Sequence, residues 1–544
     1  MKLNSCLYSF ILIVPLTLLV SCGQKPTGVE SDPHPSSGQV SNKTATTVSH
    51  YAAARFADQV SFGATPELVA EIEQKGFSKW IDDQFALPVS KIDPSPAKVY
   101  DDQDKVKAQE VGNYTTEQVY IAMLSSPDQL RHRVSWAMSQ FVVVSRGKIQ
   151  DYAAMLYANF LQDHALGNYG TFIRALSINP PMGAYLDNVS NRPTSNECLG
   201  CAPNENYARE LMQLFTLGVV KLNLDGTTVR DAKNKPVETY SQEDVEQLAA
   251  ALTGWKMADS PKYDYSRFAG TLTPETWPPL HDRREKKILG KTLPAGKEAV
   301  EELESISAIL MEHQNIAPFV SLRLIQHLVT SNPTPAYISR IATVFRNNGS
   351  GVTGDMKAVV KAILLDVEAR AGDQIGADTT RFGKMREPLL WYTGLLRGLG
   401  CTKPLHWRDG GVSISGSQQA LNPNSVFSFY APTDRAPGSN LLSPEQKLLN
   451  TPEFSDRFGG FDLKFAPNTA ASGCQVNPFG LAYNESPQAL VNLINERYFR
   501  GAMPPTLRQN LIDLAPTVWG EDSNGKALSL LLYALATPYY GVMK

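Results

Sequence analysis

Residues 126–141 read SPDQLRHRVSWAMSQF, and this stretch decides the fold class. Leu130, Val134, Ala137, Met138 and Phe141 recur at three- and four-residue spacing, which gathers them on one side of a helix. Ser126-Pro127-Asp128 reads as the start, because proline at the first helical position gives up only an N–H that would have no partner there. The same pattern extends in both directions, from Tyr51 almost to the end. Thr65-Pro66-Glu67 opens a helix that runs to Gly76, and further helices are predicted near 150–164, 168–176, 205–217, 242–252, 300–312, 317–329, 335–346, 356–365, 387–399, 487–499, 505–514 and 526–536. Alternating strand patterns are scarce. The best hairpin candidate is 219–240, where Asp225-Gly226 supplies a turn dipeptide between VVKLNL and TTV. The expectation is a mainly α, large multi-helical globular body with one or two small β-ribbons.

The other end of the compositional range is the opening segment. Lys2, the apolar run from Leu7 to Val20, and Leu19-Val20-Ser21-Cys22 read as a bacterial lipoprotein export signal. The run is about 14 residues where a spanning helix needs about 20, and Pro15 interrupts it. Residues 1–21 are therefore expected to be a removed signal peptide and Cys22 the lipidated residue, with an uncleaved anchor as the alternative. Gly23 stands where an Asp would argue for inner-membrane retention in many Gram-negative bacteria, so the expected site is the outer membrane, periplasmic or surface-facing. In a Gram-positive host the same signal would lead to the outer face of the plasma membrane. The segment 22–50 is rich in Pro, Ser, Thr and Gly and reads as a flexible linker with a reach of roughly 30 Å. Residues 51–544 then form the helical domain, long enough for two lobes.

The chain carries 51 basic and 54 acidic residues, a formal net charge of −3, with no Lys/Arg cluster interleaved by aromatics. Nucleic acid is thus not an expected partner. No Gly-x-Ser-x-Gly elbow, Walker loop or His-Glu-x-x-His motif is present, and no motif indicates a cofactor.

Two polar groupings stand out. On a helix, Asn206, Arg209, Glu210 and Gln213 share a face while Tyr207, Leu211, Leu214 and Phe215 occupy another. With Asn204 and Glu205 they form either a face for an anionic or sugar-like ligand or a structural network, in which Asn204 caps the helix and Glu205 pairs with Arg209. The second grouping is His281-Asp282, followed by Lys287 and Leu289-Gly290. Adjacent imidazole and carboxylate suit an acid/base pair or metal ligation, or else a capped loop. No metal site is predicted, because His132, His164, His313, His327 and His406 show no short-range ligand spacing.

Once Cys22 is lipidated, Cys198, Cys201, Cys401 and Cys474 remain, an even number for an oxidising compartment. Cys198-Leu199-Gly200-Cys201 precedes an expected helix start and reads as a local disulfide, a redox pair or part of a four-cysteine metal site. With a local disulfide there, Cys401 and Cys474 form the second bridge. Gly349-Ser350-Gly351-Val352-Thr353-Gly354 has the lettering of a dinucleotide fingerprint, but a helix leads into it where that motif needs a strand. It reads as an interhelical turn with Asp355 as the next N-cap.

Several segments together resemble a bacterial family known as domain of unknown function 1800. They are Ala54–Phe85, LRHRVSWAMSQFVVVS (Leu130–Ser145), PNENYARELMQLFTLG (Pro203–Gly218), YSQEDVEQLAAALTGW (Tyr240–Trp255), HDRREKKILGKTLPAG (His281–Gly296), Leu324–Arg370, MREPLL (Met385–Leu390) and NPNSVFSFY (Asn422–Tyr430). The resemblance covers about residues 51–544 and implies one mostly helical, exported unit with no established activity. It also implies a partner, since such proteins are often encoded beside a secreted family, domain of unknown function 1501. Some branches carry a Trp-His-Asn-His-like run that suggests metal ligation. Here the corresponding stretch is Trp136-Ala137-Met138-Ser139-Gln140, with no imidazole.

Two functional classes follow. One is a membrane-anchored binding, scaffold or assembly partner in the cell envelope. The other is an envelope hydrolase using Glu205, Arg209 and Glu210 with His281 and Asp282, which requires these residues to converge on one pocket.

Overall fold

A computed structural model of the chain describes residues 48–98, 104–194, 202–261, 264–275, 280–377, 382–405, 417–455, 457 and 471–544. The export signal with Cys22, most of the linker, and Cys198 and Cys201 lie outside the described residues. Those described form 23 α-helical segments and three two-stranded antiparallel ribbons, so the protein is mainly α. No helix among them is long and apolar enough to cross a membrane.

Local chemistry sets many of the boundaries. Thr65, Asn168, Asn179, Thr334, Asp355 and Ser486 each accept a backbone N–H with the side chain at a helix start, and Ser241 forms a capping box with Asp244. The helices Pro335–Arg346, Met356–Leu365, Pro487–Phe499 and Pro505–Leu514 fall where the periodicity predicts. Asp355 caps its helix by accepting from Lys357 and Ala358, which makes the glycine-rich 349–354 segment an interhelical turn.

The helix Gln129–Ser139 lies at the centre, with every residue from Gln129 to Met138 buried. Its basic side chains are accommodated individually. Asp128, just before the helix, accepts from the Ser90 N–H at 3.0 Å and lies 3.3 Å from Arg131. Arg133 donates to the carbonyl of His327 at 2.8 Å. The longest helix, Lys105–Ser125, is not anticipated by the sequence pattern, since Gly112, Asn113, Thr115 and Thr116 weaken its propensity. Burial of Val111, Val119, Tyr120, Met123 and Leu124 holds it instead.

The expected hairpin at 219–240 lacks continuous strands. It is a ribbon of isolated bridges, Val220 to Glu238, Leu222 to Thr228 and Arg230 to Pro236, turning at Gly226 with φ +76°. A regular hairpin forms instead at Lys286–Ile288 and Lys291–Leu293, where Leu289 and Gly290 both adopt positive φ, 50° and 77°. Cys401 and Cys474 form a disulfide.

Distant parts of the chain are fastened by buried charge. In the helix His50–Val60, Arg55 donates to the Lys544 carbonyl at 2.6 Å and pairs with Asp373 at 2.7 Å. Asp58 accepts from Arg386 at 3.0 Å and Arg500 at 2.8 Å. Burial opposes ionisation of Asp58, but the two guanidiniums outweigh it and hold the carboxyl down at about 2. Beside this clamp the strand Lys384–Met385 pairs with Val542–Met543, and a Cβ on Gly383 would overlap the Met543 carbonyl.

Candidate functional site

The helix Asn206–Glu210 runs directly into a π-helical turn, Leu211–Thr216. On its outer side the predicted polar residues satisfy one another. Arg209 donates to Glu205 at 2.7 Å and to Gln242 at 2.9 Å, and Gln242 donates back to Glu205 at 2.9 Å. Asn206 donates to Asp187 at 3.1 Å, and the Asn204 side chain accepts from the Asn206 N–H at 2.9 Å. Glu210 turns inward, where burial raises its carboxyl above the ordinary range against the opposing pull of Arg209. Gln213 turns away from all of these and accepts from Tyr240 at 3.3 Å.

His281 and Asp282 form a different corner. The His281 ring contacts the Thr253 carbonyl through Nδ1 at 3.0 Å, and its Nε2 lies 3.3 Å from the buried Glu302 carboxylate. Lys286 donates to Glu302 at 2.8 Å and to the Asp282 carbonyl, and the Asp282 carboxylate is held by Arg284. A Cβ on Gly254 would come within 3.0 Å of the His281 backbone, so the loop is seated directly on the end of the preceding helix. Lys287 sits in the hairpin strand beside Asp244.

The two groupings do not meet. Arg209 contacts the start of the helix Gln242–Ala251 through Gln242, whereas His281 contacts Thr253 just past its end. The ten residues of that helix separate those contacts by about 15 Å. Among the described residues no three His, Cys, Asp or Glu side chains are grouped to hold a metal ion.

A cavity of about 470 Å³ lies elsewhere, at the end of the central helix, and Gln213 is the one predicted site residue in its wall. That volume is within the ordinary range for a small-molecule site. The helix Ile316–Leu328 supplies Phe319, Leu322, Arg323 and His327, at spacings that put all four on one face. Gln140 and Phe141 enter from the end of the central helix, Gln213 and Leu214 from the π turn, and Val426, Phe427 and Tyr430 from the loop opposite.

Each wall has a local cause. In the π turn the N–H groups of Leu217 and Gly218 both reach back to the Met212 carbonyl, at 2.9 and 3.0 Å, and the Thr216 hydroxyl donates to Leu211. This widened spiral is of a kind often found at functional sites, and it carries two cavity residues. Gln140 is fixed by the Ser428 hydroxyl at 3.0 Å. Tyr430 donates to Glu387 at 3.0 Å, and Glu387 also accepts from Trp136 and Gln418, each at 2.9 Å. Burial opposes ionisation of Glu387, but Lys384 and these donors hold its carboxyl below the ordinary range. Behind the cavity wall, Tyr430 thus covers an anchored carboxylate that does not itself line the cavity.

The ionisable groups within the cavity behave differently. Burial, reinforced by the cations Lys384, Arg323 and Arg133, pushes His327 well below the usual imidazole value, so the ring is neutral at physiological pH. It stacks on Phe141 with ring centres 6.3 Å apart. Arg323 lies over the Phe319 ring at 5.3 Å and donates through Nη1 to Gln326 at 2.8 Å.

Arg323, His327, Gln140 and Tyr430 were not singled out by sequence reasoning. One signal was available, an arginine on the apolar face of IAPFVSLRLIQHL, where a cation must be compensated or kept near water. Another lies in the segments 130–145, 203–218, 324–370, 385–390 and 422–430, which resemble one family in the linear sequence and converge here in space.

A family model described as a protein of unknown function (DUF1800) matches residues 55–542. No curated protein and no solved structure matches the chain.

Proposed function

Because the chain belongs to DUF1800, a family of proteins of unknown function, we propose from its cavity and, separately, from its opening sequence that it is a ligand-binding lipoprotein of the bacterial cell envelope. In this reading the lipid on Cys22 holds the protein to the outer membrane, residues 23–50 act as a tether, and the helical body serves as a binding or assembly partner. A co-encoded secreted protein of domain of unknown function 1501 is the first partner to seek.

The observation that carries the binding reading is the 470 Å³ cavity, with apolar walls and a few fixed polar groups drawn from four separate parts of the chain. The Glu205/Arg209 and His281/Asp282 groupings, by contrast, have their hydrogen-bonding capacity largely taken up by neighbouring residues. They support local structure better than turnover.

The test uses an uncharged environment-sensitive dye, N-phenyl-naphthylamine, titrated into the purified body. Saturable fluorescence enhancement is expected, together with its loss in Leu214→Trp, which fills the cavity, at an unchanged thermal midpoint. Non-saturable enhancement, or enhancement indifferent to Leu214→Trp, refutes the cavity as a binding site. For the anchor, Cys22→Ser should move the protein from the detergent-extracted membrane fraction to the soluble one. Unchanged partitioning would reject lipidation.

A further inference from the structure

Most strongly buried guanidiniums of this protein have a carboxylate or backbone carbonyls to bind. Arg386 and Arg500 share Asp58, Arg55 has Asp373, Arg457 has Glu453, and Arg397 donates to the carbonyls of Gly63 and Leu124. Arg323 has neither. Among the described residues its polar partner is the neutral amide oxygen of Gln326, reached through Nη1, and its flat face rests on Phe319. Among the described residues the opposite edge of the group, Nε with Nη2, has no hydrogen-bond partner, and it is not sealed from solvent. That edge is the fork that takes a carboxylate through two parallel N–H···O bonds.

Desolvation lowers the guanidinium to about 10, so the group stays cationic at neutral pH. A half-buried cation that faces a mostly apolar chamber, with no counter-charge among the described residues, favours the entry of an anion. The rest of the chamber defines what else the anion must carry. Phe141, Phe319 and Leu322 offer apolar walls, and Val219 and Phe427 stand 54% and 44% exposed as apolar lips. Gln140, Gln213 and neutral His327 add hydrogen-bonding capacity without charge.

We propose that the cavity binds an amphipathic carboxylic acid, with its carboxylate on the Nε/Nη2 edge of Arg323 and its acyl or aryl body along Phe141, Phe319 and Leu322. This assignment rests on the binding reading above and specifies its ligand class. It commits to a free acid with a single anionic head. A dianionic phosphate ester has less to gain, since among the described residues Arg323 is the one cation in the wall and the neighbouring positions are apolar or neutral.

The experiment displaces the uncharged dye from the full body with decanoate, decanol or decylamine. Decanoate is expected to compete at least about tenfold more strongly than decanol, with decylamine the weakest. Arg323→Met should remove the advantage of decanoate over decanol, each measured relative to dye affinity in the same variant, while Arg323→Lys, which keeps charge but loses the fork, should retain part of it. Equal competition by decanoate and decanol on the wild type overturns the proposal without any variant, which covers the case in which a variant fails to fold. Dodecyl phosphate competing better than dodecanoate also overturns it. If Arg323 is neutralised by a carboxylate of its own chain, decanoate will show no preference and Arg323→Met will lower the thermal midpoint, and the proposal fails. Absence of dye binding in the wild type would instead sink the cavity reading itself, so the two failures remain distinct.

Discussion

Arg386 is buried and Arg323 half-buried on a cavity wall, and the protein treats the two guanidiniums in opposite ways. Arg386 is locked to Asp58, which also receives Arg500, and it lies over the Tyr540 ring at 4.3 Å. Arg323 also has an aromatic bed, Phe319, but no carboxylate among the described residues. A buried charge with its counter-charge built in fastens distant segments together. One without it creates a demand that something outside the chain can meet. The two regions are joined through consecutive residues, since Arg386 belongs to the clamp while Glu387 sits beneath the cavity and receives the Tyr430 hydroxyl.

The largest expected effect breaks the clamp. Asp58→Ala strands Arg386 and Arg500 in the interior and should cost about 3–5 kcal/mol in urea unfolding. A loss below about 1 kcal/mol would remove the distinction between the two arginines.

Acid titration should separate the regions next. Asp58 has a folded pKa near 2, below its unfolded value, so its contribution is present above roughly pH 4 and is lost as pH falls toward 2. This corresponds to about 2 kcal/mol. His327 is also depressed on folding, but from a higher starting point. The unfolded chain takes up its proton first, so this contribution begins to fall away below roughly pH 6.5. The groups facing His327 that would resist its protonation are Lys384, Arg323 and Arg133. Melting midpoints followed from pH 8 to 3 should therefore decline in two stages, and His327→Gln should shrink only the upper one, to which the likewise depressed His164 and His313 also contribute. A single decline near pH 4 in the wild type would contradict the neutral His327.

The smallest stability effect is expected at Arg323. Arg323→Met should change unfolding free energy by less than about 1 kcal/mol, or raise it, because no carboxylate partner is orphaned and a desolvated charge is removed. Destabilisation comparable with Asp58→Ala would mean that Arg323 is paired within the chain.

The helical class was legible because its signals are local. Thr334-Pro335 and Ser486-Pro487 set helix starts within four residues of chain, and the structure follows them. Lys105–Ser125 was not, since its propensity is poor and its packing partners include helices remote in sequence, Asp151–His164 and Pro388–Gly398. The 219–240 ribbon was found at its turn but not in its pairing, because Asn315 takes the Leu222 N–H and the Leu217 and Val220 carbonyls with its own side chain. The site follows the same division. The Glu205–Arg209 pair is an i,i+4 interaction and could be read directly. The cavity could not, because Gln140, Gln213, Arg323 and Tyr430 are brought together only by tertiary packing, and Gln213 is reoriented by a π turn that periodicity does not encode.

The clamp also bears on timing. Arg55 leaves the ribosome early, yet its bond to the Lys544 carbonyl spans 489 positions, and the strand that shelters it is completed only by Val542 and Met543. Until those residues are made, Gly383 and Lys384 have no strand to pair with. Contacts this remote in sequence are slow to form, so the fastening stays open until residues 542–544 have been made. Closure of the body therefore waits on those residues and not on the many helices that precede them.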